Sequence, residues 1–199
     1  MKTLMKVKGI LVFTVILTLS LNGMAQEKNK KFGFELNAGP SFATKDLADA
    51  DIKTGVGFEG LLHYRFIGES GIYAGWGWNK FAAEESFAGS NMDFEETGYI
   101  YGLQFKQGVS NNSLSYFIRL GGLYNHIEVE NDNGDIIGDT GHGMGWQVAG
   151  GVEFAIGSGW LLTPGIKFNS LSRELEMNEI TTQLDLNYLN IRLGILKTF

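Results

Sequence analysis

The sequence predicts an all-β protein, a single antiparallel up-and-down β-barrel of about eight strands that spans a membrane, after a cleaved signal peptide. Three observations predict this class. The N-terminal segment is typical of an exported protein, apolar residues recur with a period of two along most of the remaining chain, and many positions between them are Gly. Beyond the N-terminal segment, no run of about 18 apolar residues could form a transmembrane helix.

The N-terminal segment has the three parts of a signal peptide. Lysines give it a positive start, the apolar run 10–21 follows, and the small residues Gly23 and Ala25 fit a cleavage site. The run is shorter than the roughly 20 residues that a membrane-spanning helix needs. We therefore expect residues 1–25 to be removed and residues 26–199 to form one barrel domain.

Composition excludes several classes of function. The chain has no Cys, which excludes disulfides, thiolate metal sites and thiol catalysis. Its net charge of −6 becomes −9 without the three lysines of the signal peptide. Such an acidic chain offers no basic surface to nucleic acid, so we expect no nucleic-acid partner.

Period-two alternation defines the strands. We expect strands near 31–43, 54–66, 72–82, 96–106, 114–128, 143–156, 160–171 and 183–199. Three connections are short and rich in small polar residues, namely 67–71, 107–113 and 157–159. Four are longer and carry acids, namely 44–53, 83–95, 129–142 and 172–182. In outer-membrane barrels short turns lie on the periplasmic side, where we expect both termini.

Two positions interrupt the alternation. Pro164 lies inside the seventh strand, where a closed barrel offers no free edge for a missing donor, and we expect a β-bulge there. Between Tyr188 and Leu189 the apolar residues change parity. This change predicts either a second bulge or a boundary at the rim of the barrel.

The polar face of the strands distinguishes a membrane barrel from a soluble one, which would show the same alternation. A face washed by solvent should be rich in Lys, Glu and Thr, but here Gly dominates, as at Gly75, Gly102 and Gly151. Small residues suit the inside of a narrow barrel. The apolar face carries Trp and Tyr near the strand ends, as aromatic girdles at lipid headgroups do.

Six charged residues share the polar face and predict a lumen charge network. They are Glu35, Glu59, Arg119, Glu153, Lys167 and Arg192. Because buried charges must be paired, we expect Arg192 to neutralise Glu35 and Glu59 from the next strand. Likewise, Arg119 and Lys167 should flank Glu153. The alternative is a set of solvated charges.

The last strand, YLNIRLGILKTF, ends at Phe199. An alternating strand closed by a terminal Phe resembles the signal that the barrel-assembly machinery reads. The tail and the Gly-aromatic alternation resemble the outer-membrane β-barrel domain or porin-family proteins, small barrels common in Bacteroidota. The resemblance implies a Gram-negative outer membrane, with its lipid and lipopolysaccharide, as the location. It implies no catalytic residues and no cofactor.

Candidate sites for chemistry are few. Of the three His residues, His63 is expected to face the lumen, while His126 and His142 flank a long connection. No pair of His residues has zinc-site spacing, so we predict no metal site. A lipid-modifying enzyme would need a His, a Ser and a carboxylate near the rim. Ser170 or Ser172 with His126 are candidates, but their spacing does not select them.

These observations predict a non-catalytic outer-membrane barrel with a structural or surface-interaction role. Its acidic connections could meet a surface partner, or divalent cations could link them to lipopolysaccharide phosphates. The alternatives are a porin-like channel for small solutes and, less favoured, a lipid-modifying enzyme. A channel conflicts with the lumen of an eight-stranded barrel, which side chains fill.

Overall fold

The computed structural model describes residues 30–109, 113–177 and 179–199. The compact unit of this structure is Lys31–Thr198. The predicted signal peptide lies outside the described residues. Across the part of the chain that is described, no helix has the length and apolar character needed to cross a membrane.

The described residues form nine β-strands. Their bounds are β1 Phe32–Ala43, β2 Gly55–Ile67, β3 Ser70–Ser86, β4 Gly89–Gly108, β5 Leu114–Glu130, β6 Ile136–Asp139, β7 Gly143–Gly157, β8 Trp160–Met177 and β9 Ile180–Thr198. The eight long strands agree in number and order with the prediction. The short strand β6, in the connection 129–142, was not predicted.

The eight long strands close into one antiparallel ring. Around the ring their order is β4, β3, β2, β1, β9, β8, β7 and β5, and β5 pairs again with β4. Strand β6 pairs with β5 at one end of the ring. Because the first strand pairs with the last and β5 pairs with β4, the eight strands form a closed ring, and the predicted eight-stranded barrel is confirmed.

The two ends of the ring differ. One end, here called the terminal end, holds the start of β1, the end of β9, the turns 68–69 and 158–159, and the end of β4 with the start of β5. The other, here called the loop end, holds the connections 44–54, 87–88 and 131–142, and the end of β8 with the start of β9. Two of the four predicted long connections, 83–95 and 172–182, are therefore wrong, since β3 pairs with β4 as far as Ser86–Gly89 and β8 pairs with β9 as far as Met177–Ile180.

An apolar belt surrounds the half of the ring nearest the terminal end. We define it as the outward-facing residues of 32–42, 56–66, 72–78, 99–105, 116–124, 144–156, 160–168 and 189–195. Large side chains in it are exposed, Leu103 to 61% and Trp146 to 52%. Tyr116 and Trp160 lie near one margin of the belt, and Tyr124 and Trp146 near the other.

Beyond the belt the sidedness of the strands reverses, which means that apolar residues lie on the inner face of the ring instead of the outer face. We call this part, residues 44–54, 80–97, 126–142, 170–177 and 179–187, the distal lobe. In β9, Leu184 and Leu186 of the distal lobe point inward, whereas Ile191 and Leu193 of the belt point outward. The register of β8 with β9 is continuous throughout, so the change after Tyr188 is a boundary at the rim and not a bulge.

The register is also continuous at Pro164. Pairs Gly151–Gly165 and Phe154–Leu162 belong to one register of β7 with β8, and only the ladder opposite Pro164 is interrupted. The predicted bulge at Pro164 is therefore wrong. The irregularity of this strand pair lies instead between Ala155 and Gly157, next to the turn.

An apolar core fills the ring in the distal lobe. Connection 44–54 folds inward, so that Leu47 and Ala50 are fully buried and their backbones bond to each other. They pack with residues of six strands of the ring, among them Phe81, Phe94, Ile127, Leu175 and Leu184. This core closes the mouth of the barrel at the loop end.

Candidate functional site

The inner face of the ring is lined with small residues where neighbouring strands come close. A Cβ atom on Gly75 would lie 2.0 Å from the carbonyl oxygen of Gly60, and one on Gly102 would lie 2.2 Å from that of Leu120. These distances leave no room for a side chain. The close approach is the physical reason for Gly at these inward positions.

Glu35 on β1 is the centre of a cross-lumen network. Its Oε2 accepts a hydrogen bond from Arg119 Nη2 on β5 at 2.6 Å and lies 2.9 Å from His63 Nε2 on β2. Its Oε1 accepts one from Thr163 Oγ1 on β8 at 3.0 Å. Since β1 and β5 lie on opposite sides of the ring, the Glu35–Arg119 ion pair crosses the lumen.

Two further ion pairs lie inside the ring. Lys167 of β8 contacts Glu59 of β2, and Lys106 of β4 contacts Glu153 of β7. Neither pair joins adjacent strands. The expected pairing of Glu153 with Arg119 and Lys167 is therefore wrong, because Arg119 and Lys167 bind carboxylates across the lumen.

Arg192 has neutral partners. Its Nη1 donates to the carbonyl oxygens of Gly39 and Gly57, each at 2.6 Å. Its Nη2 donates to the amide oxygens of Asn190, at 2.7 Å, and Asn79. The expected neutralisation of Glu35 and Glu59 by Arg192 is wrong, although all three side chains are buried.

A second buried carboxylate, Glu96, lies closer to the loop end. Its Oε2 accepts hydrogen bonds from Tyr188 Oη and Asn79 Nδ2, both at 2.7 Å, and its Oε1 accepts one from Asn125. Tyr188 Oη also accepts from Asn169 at 2.6 Å. This group is not among the predicted lumen charges, although Glu96 shares the inward parity of Gly98 and Gly102 in β4.

Side chains thus close the lumen of the ring at several levels. The protein family shows which environment surrounds the ring. The sequence model of the family described as outer membrane protein beta-barrel domain matches residues 11–196. The chain belongs to this family. As an outer-membrane barrel, it faces lipid with the apolar belt, and the residues of the distal lobe lie beyond the lipid.

Solved outer-membrane barrels have the same fold. Neisserial surface protein A is 13% identical, with a TM-score of 0.64, over 84% of this chain and 97% of that one. OprG from Pseudomonas aeruginosa is 12% identical (TM-score 0.55; 86% and 97% covered), and the E. coli outer membrane protein W is 13% identical (0.51; 87% and 100%). Such low identities show the fold alone. No curated protein matches the sequence.

The distal lobe of this outer-membrane barrel carries a four-residue ion cluster on its outer surface. Lys80 Nζ lies 2.9 Å from Asp93, 2.8 Å from Glu95 and 2.9 Å from Glu130. Partial burial opposes its charged form, but these three hydrogen bonds raise the pKa of Lys80 above its ordinary value. Burial likewise opposes the charge on Glu95, yet hydrogen bonds from Lys80 and Trp78 lower its pKa.

A second cluster lies where β5 meets β6. His126 Nδ1 is 2.8 Å from Asp139 Oδ1, and Glu128 pairs with Asp139 across the two strands. The ring of His142 stacks on that of His126, with centroids 4.2 Å apart. This grouping is not predicted by the sequence, because the unpredicted strand β6 places Asp139 beside β5.

A cleft of about 580 Å³ opens in the distal lobe beside β8. Strands β7 and β8 pair up to Gly145–Leu171, and β8 then continues alone on this side. Arg173 lies at the base of the cleft and donates to the carbonyl oxygens of Asn125 and Met144, at 2.9 and 3.0 Å. These bonds hold the wall together where the strand pairing ends.

The side chains considered for a rim triad belong to separate groups. Ser172 donates to Asp185 of β9 and accepts from Gln183, whereas His126 contacts Asp139. Ser170 lies on the outward face of β8. The geometry therefore does not assemble Ser172 and His126 as a nucleophile and its base.

Proposed function

We propose that this outer-membrane barrel is non-conducting and acts through its distal lobe, which it presents at the cell surface as a rigid acidic platform, with both termini in the periplasm. The observation that carries the proposal is the apolar core of the distal lobe, where Leu47 and Ala50 close the mouth of the ring. The cross-lumen pair Glu35–Arg119 blocks the same path a second time. A structural or interaction role follows more naturally from this architecture than the passage of solutes.

The charge distribution supports the surface role. The distal lobe holds 17 of the 22 acidic residues of the chain and four of its 16 basic ones. Many of these acids, such as Asp46, Asp49, Glu84 and Glu174, are exposed. We propose that they meet either a basic surface partner or divalent cations shared with lipopolysaccharide phosphates, since both would offset the negative charge of the lobe.

Planar-bilayer recording tests the closed lumen. We expect the purified barrel to insert without single-channel steps, and a porin of known conductance recorded in the same bilayers serves as the positive control. Stable, reproducible steps would overturn the proposal and favour the small-solute channel. Extraction of the protein from outer-membrane fractions should also show the barrel as a heat-modifiable band.

The orientation can be tested separately because the chain has no Cys. Asn133→Cys places a thiol at the exposed tip between β5 and β6, and Glu69→Cys places one in the turn between β2 and β3. In intact cells, a membrane-impermeant maleimide should label the first variant and not the second. Labelling of Glu69→Cys alone would reverse the proposed orientation.

If the barrel acts through its distal lobe, loss of acidic residues from the lobe should weaken binding to its partner. Vesicles that contain lipopolysaccharide and Mg²⁺ should raise the melting temperature of the wild-type barrel, and chelation should remove the increase. The lobe variant Glu174→Gln/Glu176→Gln, which changes exposed acids outside the Lys80 cluster, should show a smaller increase. No effect of chelator on wild type would exclude the cation-bridged mode and leave a basic partner.

A further inference from the structure

We propose that His126, Glu128 and Asp139 form a binding site for a divalent transition-metal ion, with zinc as the best-suited ion, on the outer surface of the distal lobe. One donor atom from each residue lies within 4.8 Å of the other two. The site is separate from the lumen network and independent of the proposed platform role.

The strand geometry places the three donors together. Residues 126 and 128 are two apart in β5, so both side chains point to the outer face of the sheet. Asp139 of β6 is the direct partner of Glu128 in the antiparallel pair. Backbone and side-chain bonds between Thr140 and Ile127, at 3.1 and 2.9 Å, fix this register next to the site.

The distances suit a small tetrahedral ion. Donor atoms around a tetrahedral zinc ion lie about 3.3 Å apart when the bonds are about 2.0–2.1 Å long. Here His126 Nδ1 and Asp139 Oδ1 are 2.8 Å apart, so a small rotation of either side chain admits the ion. Asp139 is exposed and Glu128 is half-buried, which leaves a path for entry from solvent.

The donor set selects the class of metal. One imidazole nitrogen with two carboxylates suits zinc and neighbouring transition metals, whereas Ca²⁺ and Mg²⁺ prefer oxygen donors alone. Three protein ligands leave the fourth tetrahedral position for water. His142 stacks on His126 at 4.2 Å and so restrains the orientation of the ligand ring.

A bound ion would join β5 to the end of β6 at Asp139 and fasten the β5–β6 hairpin. Strand β6 has only four residues, and its pairing with β5 is irregular between Val129 and Glu130. A hairpin of that length gains much of its order from such a cross-link. Metal binding should therefore protect the segment 131–142 from proteolysis.

The full barrel, refolded in detergent micelles, can be titrated with Zn²⁺ by calorimetry. Because the chain has no Cys and His63 is buried in the lumen, few other strong zinc donors lie on the described surface. We expect one Zn²⁺ per chain. The variants His126→Ala, Glu128→Gln and Asp139→Asn should each weaken binding by at least about tenfold.

Asp132→Asn is the matched control, since it removes an exposed carboxylate from the tip of the same hairpin. It should leave Zn²⁺ affinity unchanged, and excess Mg²⁺ should not compete. Equal losses in Asp132→Asn and Asp139→Asn, or full displacement by Mg²⁺, would show only a diffuse acidic surface and overturn the site. A visible Co²⁺ spectrum of tetrahedral intensity, lost in His126→Ala, gives a second readout independent of affinity.

Discussion

Glu35 contacts polar side chains of three strands besides its own, and it is 2% exposed. A carboxylate in this position links β1 to the opposite wall of the ring. Removing it leaves the Arg119 guanidinium buried without its ionic partner. Such an uncompensated buried charge is costly, so Glu35 should contribute strongly to the stability of the ring.

We predict that Glu35→Ala lowers the free energy of unfolding by about 3–5 kcal/mol, the usual cost of breaking a buried ion pair. Urea unfolding in lipid vesicles, followed by Trp fluorescence, measures the loss. The control Glu84→Gln breaks the exposed pair with Lys53 and should leave the unfolding midpoint unchanged. The double variant Glu35→Ala/Arg119→Met should lose less than the two single variants combined, and strict additivity would contradict direct coupling.

A single methyl group should be enough to disturb the wall at Gly75. In Gly75→Ala the added Cβ would lie 2.0 Å from the carbonyl oxygen of Gly60, so the strands β2 and β3 must separate. We predict that Gly75→Ala destabilises the barrel by about 1–3 kcal/mol or prevents its refolding. In Gly108→Ala the added atom meets nothing within 4 Å, and this variant should refold like wild type.

At the scale of the strand, alternation predicted where the strands lie but not where they end. The outward run of apolar residues stops at Trp78 in β3 and at Phe168 in β8, and the sequence analysis ended both strands soon after. The backbone pairing nevertheless continues to Ser86 and Met177. Outside the lipid, water lies on the outer face, so the apolar residues move to the inner one. The change of parity therefore resembles the end of a strand, although the strand continues.

Partners within the lumen could not be predicted for a different reason. The sequence identified six charged residues on the inner face, and the structure buries all six there. The prediction places their partners on adjacent strands. In a narrow ring, long side chains reach the opposite wall, as Arg119 does to Glu35. Which charges meet across the lumen depends on strand tilt and shear, and a single sequence does not specify these.

The Lys80 cluster ties the distal parts of β3, β4 and β5 together in a pH-dependent manner. The pKa of Glu95 is lowered, so the folded protein binds fewer protons there than the unfolded chain does. This contribution to stability is complete above the ordinary carboxylate pKa and is lost as the pH falls through the lowered value. We therefore predict that acidification decreases the unfolding midpoint of the wild-type barrel.

In Lys80→Met, the contribution of the cluster to stability should depend on pH in the opposite direction. Without the ammonium group, Asp93, Glu95 and Glu130 repel one another, and protonation relieves the repulsion. Relative to wild type, the variant should be least stable near neutral pH and should recover as the pH falls. Parallel pH profiles for the two proteins, measured by urea unfolding, would contradict this role of Lys80.

At the scale of the whole molecule, we expect that connection 44–54 can be released from the lumen without opening the ring. Leu47 is fully buried, but its loop bonds to the wall at few points, chiefly Ile52 with Ala83 and Thr44 with Asn187. We predict that Leu47→Ala releases the loop while the ring stays closed. Trypsin should then cut faster at Lys45 and Lys53, while the band that shifts on heating is unchanged.

The control for this experiment is Asp46→Asn, which alters an exposed neighbour and should leave the rate of cleavage as in wild type. If Leu47→Ala instead abolished the heat-modifiable band, the loop would be part of the cooperative unit of the barrel. Conductance should remain absent in Leu47→Ala, because the lumen network still crosses the ring below the apolar core.

The reversal of sidedness between Tyr188 and Leu189 also fixes how deeply the protein sits in the bilayer. The belt from Phe32 to Phe42 has a height of about 25 Å, given strand rise and tilt. A thicker bilayer would draw outward polar residues such as Asn187 and Ser170 into hydrocarbon. The lipid around the protein must then thin to match it, because a closed ring cannot lengthen. Vesicles of short-chain lipids should consequently give the fastest refolding.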